Sequence, residues 1–393
     1  MWQDNEDFIF GTFGDPKFGE NVHLVLFDLD NTVIEPDEKV RPGAPYNKWK
    51  FIKGAKERIQ KDAALTVFVS NQLKLSDYMD KFKQKIKDMM QELNVPALFY
   101  AASGRSPFRK PSTAIFTEHL IPLLKEKGVK KIQSVVYVGD AAGRKNDFGD
   151  TDRKFLYNIH LVLSSRADAM GFGGISKFKT PEEYFQNKPT QPFQWSGIDP
   201  KKVMDEILQG RKPSEIDTSL DEYFNDGQEV ILMIGPPASG KSTIAKKIAS
   251  TRGYVRVNQD ELKSKVKVMK AIQEELNSGK SVVVDNTNLD PTKRAEIIKI
   301  VQEYFTENDK PVKIRAFHIN GDWSTEQQVE FAKHLNVVRQ RLGGTYINEI
   351  TYRVLLKNFE PPKEEEGFTE IINIPFIPRF RNPKHLLAFL QRS

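Results

Sequence analysis

Seven short apolar runs, rich in β-branched residues, set the terms on which this chain can fold: His23–Phe27, Leu65–Val69, Ala97–Ala101, Ser134–Val138, Glu229–Ile234, Ser281–Val284 and Ile314–Ile319. Each is apolar almost throughout rather than on alternate positions, so each needs cover on both faces. Helix-length polar stretches separate them. That combination predicts parallel sheets sandwiched between helices, an α/β chain. One intervening stretch, Asp77 to Leu93, sets Met79, Phe82, Ile86, Met89, Met90 and Leu93 mostly three and four apart. This is an amphipathic helix whose methionines are read as core packing rather than a binding groove.

The strand pattern stops between about 186 and 227, where Asn-Lys-Pro-Thr-Gln-Pro, Ser-Gly-Ile-Asp-Pro and Gly-Arg-Lys-Pro-Ser follow one another. Polar text rich in Pro and Gly between two α/β blocks reads as a linker, with Val203–Leu208 a candidate short helix. The expected division is a first domain over 1–190, a linker over 191–226 and a second domain over 227–393, which suits 393 residues at roughly 150 per domain. The absence of cysteine excludes thiol nucleophiles, disulfides and Cys-ligated metals. Any chemistry must run on carboxylates, hydroxyls, lysine, arginine, histidine or a hard metal. No run approaches the roughly 20 apolar residues of a membrane span, the opening residues are acidic, and a soluble intracellular chain is expected. The net charge of +6 suits a polyanionic partner without requiring one.

Asp28-Leu29-Asp30-Asn31-Thr32 follows the first apolar run directly. Side chains two apart on an extended segment face the same way, so Asp28 and Asp30 can share a site at the carboxyl end of a parallel strand. Two such carboxylates can divide phosphate hydrolysis, one attacking phosphorus and the other protonating the leaving oxygen and then activating water. Ser70 and Asn71 end the second run and offer a hydroxyl and an amide to phosphate oxygens. Lys110 follows the third run as a cation, and Asp140 ends the fourth.

Gly235-Pro236-Pro237-Ala238-Ser239-Gly240-Lys241-Ser242 fits G-x-x-x-x-G-K-[ST] between a strand and a helical stretch beginning at Thr243. Its backbone amides can wrap phosphates, Lys241 can reach the β- and γ-phosphates of ATP, and Ser242 can ligate Mg²⁺. Gly235, Ser239, Gly240 and Thr243 complete the expected ATP site. Asp260, after a further strand at Val255–Val257, is placed to accept a proton from an acceptor hydroxyl; an N-cap of the following helix is its structural alternative. Asp285, Asn286, Thr287 and Asn288 end the next strand and can orient phosphate, metal or acceptor. Arg339 and Arg341 lie on a polar helix that could close as a lid.

The ordered set Asp28/Asp30, Ser70, Lys110 and Asp140 resembles the four motifs of the haloacid dehalogenase superfamily of phosphohydrolases. The resemblance implies an aspartyl-phosphate on Asp28, general acid/base work by Asp30, and Mg²⁺ held by Asp28, Asp140 and the Asp30 carbonyl. Asp147, Asp150 and Asp152 are all candidates for a further supporting carboxylate, and spacing does not choose among them. Both halves together resemble the bifunctional polynucleotide kinase 3′-phosphatases of DNA strand-break repair, a haloacid dehalogenase-like Rossmannoid phosphatase followed by a P-loop kinase. The likeness runs through Phe-Asp-Leu-Asp-Asn-Thr (27–32), Arg-Lys-Pro (109–111), Tyr-Val-Gly-Asp-Ala-Ala-Gly-Arg (137–144), Thr-Pro-Glu-Glu-Tyr-Phe (180–185), the Gly-rich loop, Val-Asn-Gln-Asp (257–260), Val-Asp-Asn-Thr-Asn (284–288) and Glu-Gly-Phe-Thr-Glu-Ile-Ile-Asn-Ile-Pro-Phe (366–376).

What it implies is removal of 3′-phosphates from DNA ends, ATP-dependent phosphorylation of 5′-hydroxyls with Asp260 as base and Arg339 as lid arginine, repair scaffold proteins as candidate partners, a monomer, and a nuclear location. About 20 residues precede the phosphatase, too few for the forkhead-associated domain that opens vertebrate members. Phage relatives that repair RNA place the kinase first, so the order here favours DNA. The alternatives are an RNA end-healing enzyme and a bifunctional kinase/phosphatase of small metabolites. Arg105, Phe108 and Arg109, beside Lys110, are the candidate strand-stacking residues that would favour nucleic acid.

Overall fold

A computed structural model describes residues 2–41, 45–104, 106–165, 170–211, 220–224, 227–308, 312–378 and 380–393. The chain divides into two units, Met1–Gly197 with Asn382–Ser393, and Ile198–Arg381. The last twelve residues therefore pack with the first unit, whereas the sequence assigns them to the second. The expected linker contains a helix, Pro200–Leu208, capped by Asp199 through Lys201 N and Lys202 N.

The first unit is built on a seven-stranded sheet from strands β1 (Trp2–Asp4), β2 (Phe8–Phe13), β3 (Asn21–Phe27), β6 (Leu65–Gln72), β7 (Ala97–Ser103), β8 (Lys131–Val138) and β9 (Gly171–Lys179), in the order β1-β2-β7-β6-β3-β8-β9. β4 (Ile34–Pro36) and β5 (Trp49–Phe51) form a separate hairpin. The five strands from β7 to β9 in that order are parallel. β2 pairs antiparallel with β7, and β1 antiparallel with β2, so one edge departs from the all-parallel expectation.

Strand alternation explains why the central runs carry no polar face. On β3, Leu24 and Leu26 enter one core with Val67, Val135 and Phe155, while Val25 and Phe27 enter the other with Phe68, Phe82 and Ile86. The helix Met79–Leu93 covers this second face with Phe82, Ile86, Met89, Met90 and Leu93 buried, and Thr151–Ser165 covers the first. The Met79–Leu93 stripe is thus core.

The second unit repeats the plan with five parallel strands, β10 (Glu229–Ile234), β11 (Val255–Val257), β12 (Val282–Val284), β13 (Lys313–Ile319) and β14 (Glu370–Ile374), in the order β11-β12-β10-β13-β14. Val230, Leu232 and Ile234 face one core; Ile231 and Met233 face the other. Among the described residues no helix is long and apolar enough to cross a membrane.

A charged pair between β10 and β13 interrupts this apolar interior. Arg315 donates to Glu229 through Nε at 2.5 Å and Nη2 at 2.7 Å, with side chains 1% and 2% exposed. Removing one partner of such a pair strands the other in a poor solvent. Glu229→Ala is expected to destabilise the second unit by about 3–5 kcal/mol, leaving the first unit's transition in place. Denaturant unfolding followed by hydrogen exchange in each unit checks this, and an unchanged β10–β13 region would contradict it.

Candidate active sites

The first site forms where β3, β6 and β8 end side by side. Asp28 N donates to Val138 O at 2.9 Å, which continues the β3–β8 ladder one residue past the strand and aims the Asp28 side chain at the end of the sheet. Lys110 lies at the centre, its side chain 3% exposed. Its Nζ donates to Asp28 Oδ1 at 2.6 Å, to Asp152 Oδ1 at 2.7 Å and to the Tyr137 hydroxyl at 2.7 Å. The Tyr137 hydroxyl also donates to Asp152 at 3.0 Å, and Ala141 N donates to Asp152 Oδ2 at 3.1 Å.

This geometry chooses among the three downstream aspartates. Asp147 is bound by Arg144 and by the Ala142 and Arg144 amides, and Asp150 is held by Ser196 and Lys154. Asp152 alone of the three joins Asp28 and Asp140, with ligand atoms of the three carboxylates within 4.8 Å of one another. Gly139 makes this approach feasible: a Cβ there would meet Asp152 Oδ2 at 2.4 Å.

Burial dominates the electrostatics. It raises the Asp28 carboxyl well above the usual carboxylate range, against the pull of Lys110 and with the help of Asp152 and Asp140. Burial, then Asp152, pushes Asp140 up to about 6, partly offset by Lys110. Burial works against the Lys110 charge, but Asp152 and Asp28 outweigh it and raise its ammonium above the ordinary lysine value. Three carboxylates facing one ammonium leave excess negative charge in a confined space, and an all-oxygen donor set of this kind fits a hard divalent cation.

Asp30 sits two residues on, with Oδ1 accepting from the Tyr46 hydroxyl at 2.6 Å and Oδ2 from Gln72 Nε2 at 2.6 Å. Gln72 Nε2 also donates to Ser70 Oγ at 2.8 Å, and the Tyr78 hydroxyl fixes the Gln72 carbonyl at 2.6 Å. Ser70, Asn71 and Gln72 lie inside β6 rather than beyond it, because pairing with β7 runs to Gln72. Asn71 departs from its expected role. Its amide clasps the Lys110 peptide, accepting from Lys110 N at 2.9 Å and donating to Lys110 O at 3.1 Å, so it holds the cation's backbone instead of facing phosphate. Phe108 packs on Phe8 with ring centroids 4.8 Å apart, which places it with the core; Arg109 is half-buried beside it, and Arg105 lies outside the described residues.

The second site opens at the carboxyl end of β10. Gly235 to Ser242 leads into the helix Lys241–Arg252, and Gly240 occupies its N-cap at φ 98°, a left-handed conformation that glycine adopts without strain. Ser239 is buried, while Ser242 and Thr243 are exposed in the first turn. Lys241 Nζ donates to Pro236 O at 2.6 Å and to Ser239 Oγ at 3.3 Å. Burial lowers its ammonium to about 8, with Asp285 opposing. Ser242 Oγ donates to Asp285 Oδ1 at 3.0 Å, which assigns Asp285, at the end of β12, to the Gly-rich loop.

Asp260 is exposed in the first turn of the short helix Gln259–Leu262, whose N-cap is Asn258, accepting from Glu261 N at 3.2 Å. The capping alternative therefore falls to Asn258. Arg339 is exposed in the last turn of Thr325–Arg341, and its charge is felt at Tyr352, whose hydroxyl donates to Pro237 O in the Gly-rich loop at 2.7 Å. Arg341, two residues on, is half-buried.

Tyr46, Tyr137, Gln72 as a partner of Asp30, and Arg294 escape sequence reasoning. Arg294 is fully buried, pairs with Glu366 at 2.6 and 2.7 Å, and donates to the carbonyls of Asn288 and Leu289, holding the loop after Asp285. The family-like segments 284–288 and 366–376 hint at this contact, because both are distinctive and far apart in the chain.

Residues 23–185 match the family described as polynucleotide kinase 3 phosphatase, and residues 230–328 match the family described as AAA domain. Over 389 residues the chain is 31% identical to the bifunctional polynucleotide phosphatase/kinase of Schizosaccharomyces pombe, with 96% of this chain and 85% of that protein covered. A polynucleotide 3′-phosphatase of Saccharomyces mikatae is 27% identical over 227 residues, covering 42% of this chain and 85% of its own length. The crystal structure of a fungal RNA kinase overlaps 42% of this chain and 83% of that one at 16% identity and a TM-score of 0.32, a likeness too small to bear on substrate.

The raised Asp140 carboxyl has a measurable consequence. A metal needs the carboxylate, which is protonated below about pH 6 and so competes with the cation. Mg²⁺ affinity of the first site is expected to rise with pH through about 6, as Asp140 and the likewise raised Asp28 give up their protons. Calorimetric titration from pH 5 to 8 tests this; a flat profile would count against a metal site at Asp140.

Proposed function

Since the chain belongs to the bifunctional polynucleotide phosphatase/kinase family, we propose that it heals DNA strand breaks, removing 3′-phosphate at the Asp28 site and phosphorylating 5′-hydroxyl at the Gly-rich loop. The observation that carries this reading is the pairing, in one chain, of a buried Asp28–Lys110–Asp152 cluster in the first unit with a Lys241–Ser242–Asp285 loop site in the second. Phosphatase-before-kinase order favours DNA, and the +6 charge suits a polyanion.

In the first unit an Asp28 oxygen attacks the 3′-phosphate, the P–O3′ bond breaks, and Asp30 gives its proton to the departing 3′-oxygen. Water, losing a proton to Asp30, then attacks phosphorus and frees phosphate, restoring Asp28. Tyr46 and Gln72 keep the Asp30 carboxyl beside the reacting group. Lys110 offsets the repulsion between carboxylate and phosphate dianion. Asp28, Asp140, the Asp30 carbonyl and Asp152 are the groups that would hold Mg²⁺, which supplies further charge compensation when bound.

In the second unit Asp260 takes the proton from the 5′-hydroxyl, whose oxygen attacks the γ-phosphorus of ATP while the bond to the β-phosphate oxygen breaks. Gly235, Ser239, Gly240 and Thr243 frame the loop, Lys241 would reach the β- and γ-phosphates, Ser242 and Asp285 would hold the nucleotide's Mg²⁺, and Arg339 would be the lid cation. Repair scaffolds as partners, a monomeric state and a nuclear location belong to the same reading.

The test is a nicked duplex carrying 3′-phosphate and 5′-hydroxyl, each labelled separately, run in parallel as DNA and RNA. Asp28→Ala is expected to lower 3′-phosphate removal by on the order of 10³-fold or more and to spare 5′ phosphorylation; Lys241→Ala should do the reverse. One substitution abolishing both activities would sink the two-site reading, and equal or better turnover on RNA would transfer it to RNA ends. Affinity for DNA ends should fall steeply with salt, with a slope of about −0.9 per phosphate neutralised on duplex DNA. A flat response would favour a small metabolite.

A further inference from the structure

Two catalytic segments of the second unit meet on one guanidinium. Arg256, in the middle of β11, sends Nε and Nη2 to Asp285 Oδ2, each at 2.7 Å, while Nη1 reaches Glu261 Oε1 at 2.6 Å. The other Asp285 oxygen accepts from Ser242 Oγ at 3.0 Å. A continuous run of hydroxyl, carboxylate, guanidinium and carboxylate thus links the first turn after the Gly-rich loop to the helix Gln259–Leu262, ending one residue past Asp260. The inner end is dry: the Asp285 side chain is 1% exposed and that of Arg256 14%, whereas Glu261 is 62% exposed.

That asymmetry bears on purpose. The outer pair is exposed and screened, so it adds little to stability. What it does is fix direction. With Oδ2 held from behind by the Nε–H bond and the Nη2 ion pair of one guanidinium, Asp285 keeps Oδ1 turned to Ser242, and with Nη1 on Glu261 the same planar group sets the turn that presents Asp260. A lysine offers a point charge that can satisfy one carboxylate, whereas the guanidinium fork serves both.

We propose that Arg256 is a positioning residue that couples the nucleotide side of the kinase site to the turn carrying the Asp260 base. The inference rests on the kinase reading of this unit. Its contacts are with Asp285 and Glu261, and it acts on transfer only through them.

The test uses the full chain with Arg256→Met, Arg256→Lys and Glu261→Gln, taking hydrogen exchange of the β10 and β13 amides in the same molecules as the control for folding of the second unit. Three quantities are measured: calorimetric binding of a non-hydrolysable ATP analogue with and without Mg²⁺, hydrogen exchange of the amides over 259–262, and kcat and KM for 5′ phosphorylation. Glu261→Gln is expected to speed exchange over 259–262 and to lower kcat by up to about fivefold, with the Mg²⁺-dependent gain in nucleotide affinity unchanged. Arg256→Met should do the same and also reduce that gain by about tenfold or more, while Arg256→Lys recovers the nucleotide arm without the exchange protection. Variants that match the unaltered chain in exchange and in Mg²⁺-dependent binding overturn the inference. Should Arg256→Met also speed exchange across β10 and β13, the exposed Glu261→Gln decides, and unchanged exchange over 259–262 with unchanged kcat overturns the proposal. An unaltered chain that transfers no phosphate to 5′-hydroxyls overturns the kinase reading instead.

Discussion

A buried ammonium holds the first unit's chemistry together. Asp28, Asp140 and Asp152 converge from three segments, and at such separations like charges repel by several kcal/mol unless something intervenes. Lys110 intervenes, and the fold spends much structure on keeping it there. Asn71 grips its peptide from β6, Tyr137 meets its ammonium from β8, and Asn158 donates to the carbonyl of Pro111 at 2.8 Å from the helix behind. The lysine is thus located by backbone contacts at its root and by three oxygens at its tip. Its position does not depend on its own flexible stem.

The second unit solves the same problem differently. Its Gly-rich loop offers backbone amides and a left-handed glycine at a helix start, so peptide dipoles add to the positive potential there. Lys241 waits on Pro236 O and Ser239 Oγ, with its proton loosened by burial. One unit concentrates charge on a fixed side chain and the other distributes it along a loop. The first arrangement suits a confined cluster of carboxylates, and the second suits a polyphosphate that arrives and leaves.

Residues at strand ends were the legible part of this chain. Continuous apolar runs locate β3, β6, β8, β10 and β12; Asp28 and Asp285 are the residues directly after two of them, whereas Asp140 and Lys241 lie further on and are singled out by the order of motifs and by the Gly-rich loop pattern. β9, written Gly-Phe-Gly-Gly-Ile-Ser-Lys-Phe-Lys, has no such run, because an exposed edge strand has no need of one. The choice of Asp152 over Asp147 and Asp150 depends on where the helix Thr151–Ser165 begins and on the space left by Gly139. Tyr46 and Arg256 matter through partners that spacing does not reveal. Asn71 shows the opposite error: a residue at the right position whose amide the fold uses on its own backbone.

The chain's closing helix, Pro383–Leu390, carries a temporal consequence. Asn158 donates to Arg392 O at 2.9 Å and accepts from Arg392 N at 2.8 Å, while the same side chain supports Pro111 beside Lys110. On the ribosome these bonds have no partner until Ile198–Arg381 has been made, a delay on the order of ten seconds or more at typical synthesis rates. The contacts of Asn158 with Arg392, on the side chain that also supports Pro111 beside Lys110, therefore form only after the residues of the second unit have been made.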